Sequence, residues 1–224
     1  MRLNVSPIHK FIAQGEHQQQ DFKFCISDSR KIARTLVAFA NTDGGRLLVG
    51  VKDNGKVKGV QSEEEIYMVE AAAALYSKPK IKFTSQEWDV DGKLVLEIWV
   101  DKSPQRPHFA ENDERKWVAY IRRNDENIIA NPVLLKKWKL EKRKSGLRFS
   151  YDEPRQKLLE YLSEHESISL SKFLKIARIT STQAENILAE LLFIECLSGH
   201  FEQDPVYYTL NKNFDMNSLR KPVL

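Results

Sequence analysis

Ala38-Phe39-Ala40-Asn41-Thr42-Asp43-Gly44-Gly45-Arg46-Leu47-Leu48-Val49-Gly50-Val51-Lys52-Asp53 is the stretch whose reading decides the fold. An apolar helix runs into a small-residue turn and passes directly into an apolar strand. From Ser29 to Phe39, Ile32, Leu36 and Phe39 recur at helical spacing beside Ala33, Val37 and Ala40. Ser27 or Asp28 supplies the N-cap, a short side-chain oxygen for an orphan backbone N–H. Asn41 to Gly45 ends the helix, because glycine tolerates positive φ and close backbone approach. Leu47 to Val51 reads as a buried strand. Asp53-Asn54-Gly55 reads as a tight hairpin turn, with Lys56 to Val60 as the returning strand.

Outward from this centre, Val5–Gln14 reads as a short helix with Pro7 in its first turn, and Gln18–Cys25 as a strand. Glu63 opens a helix reaching about Tyr76, its acids at the positive end of the dipole. Lys80–Trp88 and Lys93–Val100 alternate at period two around Asp91-Gly92, and Trp117–Arg123 reads as a further strand. Asn131-Pro132 opens a basic helix to about Lys144. Ser145-Gly146 marks the domain boundary, giving domains 1–146 and 147–224. The second reads as a winged helix–turn–helix: helices over Glu153–Ser163 and Ser169–Ile176, a third capped by Thr180, and two strands between Cys196 and Tyr208. The expected fold class is α+β, a mixed sheet with flanking helices followed by this small domain.

The spacing of Glu16, Asp21-Phe22-Lys23, Ala38-Phe39-Ala40-Asn41-Thr42, Gly44-Gly45, Gly50-Val51, Asp53 and Gly59 resembles the Schlafen AlbA-2 domain. The likeness continues through Arg106-Pro107-His108-Phe109 and Ala119 to Asn124, and covers roughly residues 5 to 130. That resemblance implies nucleic-acid binding, as in a bacterial transcriptional regulator or defence factor. In Schlafen relatives that cut RNA, three acids match Glu16, Asp21 and Asp53. The resemblance therefore also implies an alternative, a Mg²⁺- or Mn²⁺-dependent endoribonuclease acting on structured RNA such as tRNA. Glu16, Asp21 and Asp53 would hold the metal and Lys23 would face the scissile phosphate. Asp21 stands where the family has Glu, so its arm is one methylene short. The bland reading sets Asp53 in a turn and pairs Asp21 with Lys23. Relatives with two such lobes enclose RNA between them, which implies a homodimer for a chain with one.

Charge gives mild independent support. Residues 1–148 carry 27 Lys/Arg against 20 Asp/Glu, whereas residues 149–224 carry 8 against 11. The front lobe is the one suited to phosphate. Candidate contacts are Arg46, Lys52, Lys56 and Lys58 around the hairpin, Arg122 and Arg123 on a late strand, and Lys136 and Lys137 on the basic helix. Trp117 or Tyr120 could stack bases. The glycine turn lacks the Gly-x4-Gly-Lys-Ser/Thr pattern of a nucleotide loop and reads as structural. The third helix of the back domain carries Glu185 and Glu190 and no cation, so pairing or protein docking is as good a role for that domain as DNA reading. A pure interaction module is the third functional reading.

An apolar fraction of 42% supports a core. No apolar run approaches the ~20 residues of a bilayer span. Two distant cysteines, Cys25 and Cys196, indicate neither a disulfide framework nor a zinc site, and a reducing cytoplasm is the expected compartment.

Overall fold

The computed structural model describes residues 7–143 and 150–214. The chain packs as two compact units, Met1–Ala130 and Asn131–Leu224. The expected boundary at Ser145-Gly146 lies outside the described residues, as do Val5 and Lys144 at the ends of two expected helices.

The first unit is built on a four-stranded mixed sheet. Helix α1 (Pro7–Gln14) leads into strand β1 (Gln20–Lys23), helix α2 (Ser29–Asn41) and strand β2 (Gly45–Val49). Strands β1 and β2 are parallel, with α2 as the crossover between them, Gln20 opposite Arg46 and Asp21 opposite Leu47. Helix α3 (Glu64–Ala74) and the short strand β3 (Ser77–Lys78) precede the hairpin of β4 (Thr84–Val90) and β5 (Lys93–Val100). The sheet order is β1-β2-β5-β4, with β5 antiparallel to both neighbours.

Period-two alternation divides the core. Leu47 and Val49 of β2, with Leu96, Ile98 and Val100 of β5, meet Ile32, Leu36 and Phe39 of α2. Phe22, Leu48 and Val95 form a separate cluster with Ile8 of α1. Phe24, within the expected strand Gln18–Cys25, lies beyond the end of β1 and is exposed.

The expected strand Trp117–Arg123 is two pieces. Strand β6 (Phe109–Glu111) pairs with β3 and with β7 (Trp117–Val118). Strand β8 (Tyr120–Arg123) instead forms a hairpin with β9 (Glu126–Ile129), turning at Asn124, whose φ is 55°. The returning strand after Asn54-Gly55 is reduced to a single bridge between Val51 and Val57.

The second unit opens on helix α4 (Pro132–Glu141), capped by Asn131 on Leu134 N–H. Helices α5 (Glu153–Glu164), α6 (Leu170–Ala177) and α7 (Ser181–Phe193) follow, then the antiparallel pair β10 (Leu197–His200) and β11 (Tyr207–Leu210). Thr180 and Gln183 make a reciprocal capping box at the start of α7. Val133 of α4 shares a core with Ala184, Leu188 and Leu191 of α7 and Leu158 of α5. Helix α7 is consequently covered on more than one side.

Candidate nucleic-acid interface

The turn after α2 places the residues around the front of the sheet. Asn41, buried at the helix end, donates to the carbonyls of His108 and Tyr120 and accepts from His108 N–H. Thr42 Oγ accepts from Arg122 N–H at 2.9 Å. These bonds tie β8 to the end of α2. Gly44 has φ of 73°, and a Cβ there would stand 2.8 Å from the Val100 carbonyl. At Gly45 a Cβ would meet the Phe39 ring at 2.4 Å. Both glycines serve close packing.

Arg122 is a correction to the expected phosphate contacts. It is 1% exposed and works as an internal hub. Its guanidinium donates to Asp21 Oδ1 at 3.0 Å, to the Gln20 carbonyl at 3.1 Å and to Asn127 Oδ1 at 3.0 Å. The same group lies over the Phe39 ring. A strand that reads as polar on one side has that side turned into the protein by its β9 partner. Arg46 is likewise engaged: it pairs with Glu97, and its guanidinium stands 3.5 Å from the Phe11 ring centre, with Trp99 nearby. Arg123 pairs with Glu126 at 3.0 Å.

Glu16 and Asp21 stand together. Glu16 Oε1 accepts from Phe22 N–H at 2.9 Å. Burial pushes the Glu16 carboxyl above its ordinary value, and the neighbouring Asp21 adds to the rise, while the Phe22 hydrogen bond works against it. Asp21 is held between cations: Arg122 at Oδ1, and Lys23 Nζ at 2.8 Å from Oδ2, an ion pair without hydrogen-bond geometry. Asp53 lies in an exposed turn, where Gly55 N–H bonds to the Lys52 carbonyl. Among the described residues no three His, Cys, Asp or Glu side chains are grouped to hold a metal ion. The implied Mg²⁺ or Mn²⁺ therefore does not fit this set: one carboxylate is already neutralised by two cations, and Asp53 does not complete a trio with the other two.

A carboxyl whose folded pKa lies above its unfolded one favours the fold at low pH and loses that contribution as pH rises through the folded value. Glu16→Gln keeps the acceptor for Phe22 and removes the half-buried charge. It is expected to raise the melting temperature at about pH 7 and to change it little at about pH 4. Thermal melts at both pH values check this, and an equal effect at both would contradict it.

Cations do converge elsewhere on the first unit. Lys23 at the end of β1, Lys31 and Arg34 on α2, and the β8–β9 hairpin line an open recess of about 480 Å³. Thr35, Tyr120 and Asn127 form its polar floor, with Asn127 donating to Thr35 Oγ at 2.9 Å. Arg34 is oriented by the Glu111 carbonyl at 2.8 Å and by Asp113 at 2.7 Å. Glu126 stands at the rim, drawn to Arg123. Lys31 and Arg34 were not among the sequence candidates. Their i, i+3 spacing on the polar face of α2 was the available signal. Lys23 belongs to the recess by a route other than the one expected, and Tyr120 reaches it although 7% exposed.

The remaining candidates are dispersed. Lys56 and Lys58 are exposed around the hairpin turn, and Lys52 lies 5.4 Å from the Phe24 ring centre. Lys136 bonds to Glu185 at 3.0 Å and to the Thr182 carbonyl, and Lys137 pairs with Glu141. Trp117 lies beneath Lys78, 3.9 Å from its ring centre. Among the described residues no helix is long and apolar enough to cross a membrane.

Comparison with known proteins gives one family match: the Schlafen, AlbA_2 pattern fits residues 16–131. No curated protein matches the chain. Among solved structures, a protein from Corynebacterium diphtheriae is 18% identical over 64% of this chain, with a TM-score of 0.43. This chain covers 29% of that protein. The N-terminal domain of a RecG-related protein from Nitrosomonas europaea is 19% identical over 65% of this chain and 94% of that one, with a TM-score of 0.38.

Proposed function

We propose, from the premise that this chain belongs to the Schlafen AlbA_2 family, that it binds nucleic acid through phosphate contacts in the Lys23, Lys31 and Arg34 recess. The observation that carries this reading is the recess itself. Lys31 is exposed at one open concavity beside Lys23 and Arg34, whose pairing with Asp21 and Asp113 still leaves them at its edge, and its floor offers hydroxyl and amide groups. Phosphate is held by clustered cations and by neutral hydrogen-bonding groups of this kind. Arg34 is pre-set by Glu111 and Asp113, so little side-chain freedom remains to be lost on binding.

The endonuclease alternative has less support, since Asp21 is committed to Arg122 and Lys23 and no metal-holding trio is assembled among the described residues. We read the Glu16–Asp21 pair as structural. A winged-helix role for the second unit in reading DNA through α7 is also disfavoured, because α4 lies on that helix.

The test is fluorescence anisotropy with labelled tRNA and labelled duplex DNA, comparing the wild-type chain with Lys31→Glu/Arg34→Gln. Three phosphate contacts weaken binding roughly 40-fold between ~50 and ~200 mM salt, from a slope of about −0.9 per phosphate. The double variant is expected to lose more than about tenfold in affinity at low salt and to flatten that slope. An unchanged affinity and slope in a variant with normal thermal melting would sink the reading.

A further inference from the structure

The second unit holds a recess that the phosphate reading does not use. It measures about 400 Å³ and is lined by Tyr161 of α5, Lys172 of α6, Tyr207 of β11, and Ser167, Gln203 and Asp204. The fold fixes both aromatic walls. Ile168 exchanges backbone hydrogen bonds with Tyr208, 2.9 Å and 2.8 Å, which clamps the turn before α6 against β11. Tyr208 points inward and is buried, so its neighbour Tyr207 is turned the other way.

Each tyrosine is backed by a second ring. Tyr161 is stacked on His165 with ring centres 3.9 Å apart and 6° between planes. Tyr207 is stacked on His200 at 4.4 Å and 15°. Such backing holds an aromatic plane in place before a ligand arrives. Lys172 Nζ stands over the Tyr161 ring, 5.4 Å from its centre, and lines the same concavity.

We propose that this recess takes an unpaired nucleobase of a single-stranded nucleic acid, in the same chain that holds phosphate through the first unit. The inference rests on the proposed function for the polymer, and on the two tyrosine faces for the base. A planar heterocycle stacks on tyrosine without needing a particular sequence. Ser167 and Gln203 offer donors and acceptors for its edge. Lys172 then faces the adjoining phosphate. Residues 131–224 carry 15 Lys/Arg against 12 Asp/Glu, so the attraction this unit offers a polyanion is slight. Stacking adds to that attraction and is much less sensitive to salt. A paired base is already stacked within its duplex, so the recess discriminates against double strands.

The experiment uses the full chain with a fluorescein-labelled oligouridine dodecamer and a labelled RNA duplex of the same length. Tyr161→Ala and Tyr207→Ala are each expected to weaken single-strand binding roughly tenfold while leaving the duplex unaffected. Tyr161→Phe keeps the ring and is expected to bind as wild type. If the alanine variants keep full single-strand affinity while Lys31→Glu/Arg34→Gln loses it, the base site is wrong and the phosphate site stands. Equal losses on single strand and duplex overturn it too, since they report damage to the fold. If the wild-type chain binds neither strand, both proposals fall.

Discussion

Arg122→Ala is expected to destabilise the first unit by about 3–5 kcal/mol, the usual cost of leaving one half of a buried ion pair behind. Asp21 is 3% exposed and would keep Lys23 as its only cation, at a site where that lysine is itself half in solvent. The Gln20 carbonyl and Asn127 would lose a donor at the same time. The melting temperature is expected to fall by roughly 10–15 °C. Arg122→Lys keeps the charge but not the planar fork that reaches three acceptors, so an intermediate loss is expected. Asp21→Asn in the Arg122→Ala background removes the stranded charge. It should cost far less there than in the wild type, and a double-mutant cycle by urea denaturation measures that coupling. Additive losses would mean that the pair is not the source of the effect.

The second large effect belongs to the glycine pair. Gly45→Ala drives a methyl group into the Phe39 ring, 2.4 Å away, and is expected to cost about 2–3 kcal/mol. Gly44→Ala meets the Val100 carbonyl at 2.8 Å and Lys102 N at 3.0 Å, with an added penalty for φ of 73°. The two obstacles differ in kind. A side chain can be trimmed, whereas a strand backbone cannot. Phe39→Leu is therefore expected to recover part of the Gly45→Ala loss and none of the Gly44→Ala loss. Chemical denaturation of the two double variants decides it, and equal rescue of both would refute the assignment.

The central helix, turn and strand were legible because every local signal agreed. Apolar spacing in α2 runs at period 3.6, the glycines follow at its end, and Leu47 to Val49 are apolar throughout. Asp28 does cap α2, by accepting from Arg30 N–H. The β8–β9 hairpin was not legible. Asp125 and Asn124 mark a turn only once Asn124 is seen to adopt positive φ, and Glu126 to Ile129 carried no strand expectation.

The candidate site was harder to read for a definite reason. A sequence gives the sign of a charge and not its burial. Arg46 and Arg122 carry the expected sign and are consumed by Glu97 and Asp21. Glu16 and Asp21, expected to share a metal with Asp53, lie near one another because five residues of a turn and a strand separate them. Asp53 has no such tether. The cations that do share an open face, Lys23, Lys31 and Arg34, come from a strand end and a helix whose mutual register only the βαβ crossover fixes.

The seating of α4 on α7 has one more consequence. Lys136 holds Glu185 and the Thr182 carbonyl, and Val133 shares a core with Ala184 and Leu188. Any molecule seeking that side of α7 must wait for α4 to lift. Its apparent dissociation constant is the intrinsic one divided by the lifted fraction, so a fraction of ~0.001 turns nanomolar attraction into micromolar. Substitutions that loosen α4, such as Val133→Ala, would thus sharpen that hidden face's appetite for a visitor without altering a single atom the visitor touches.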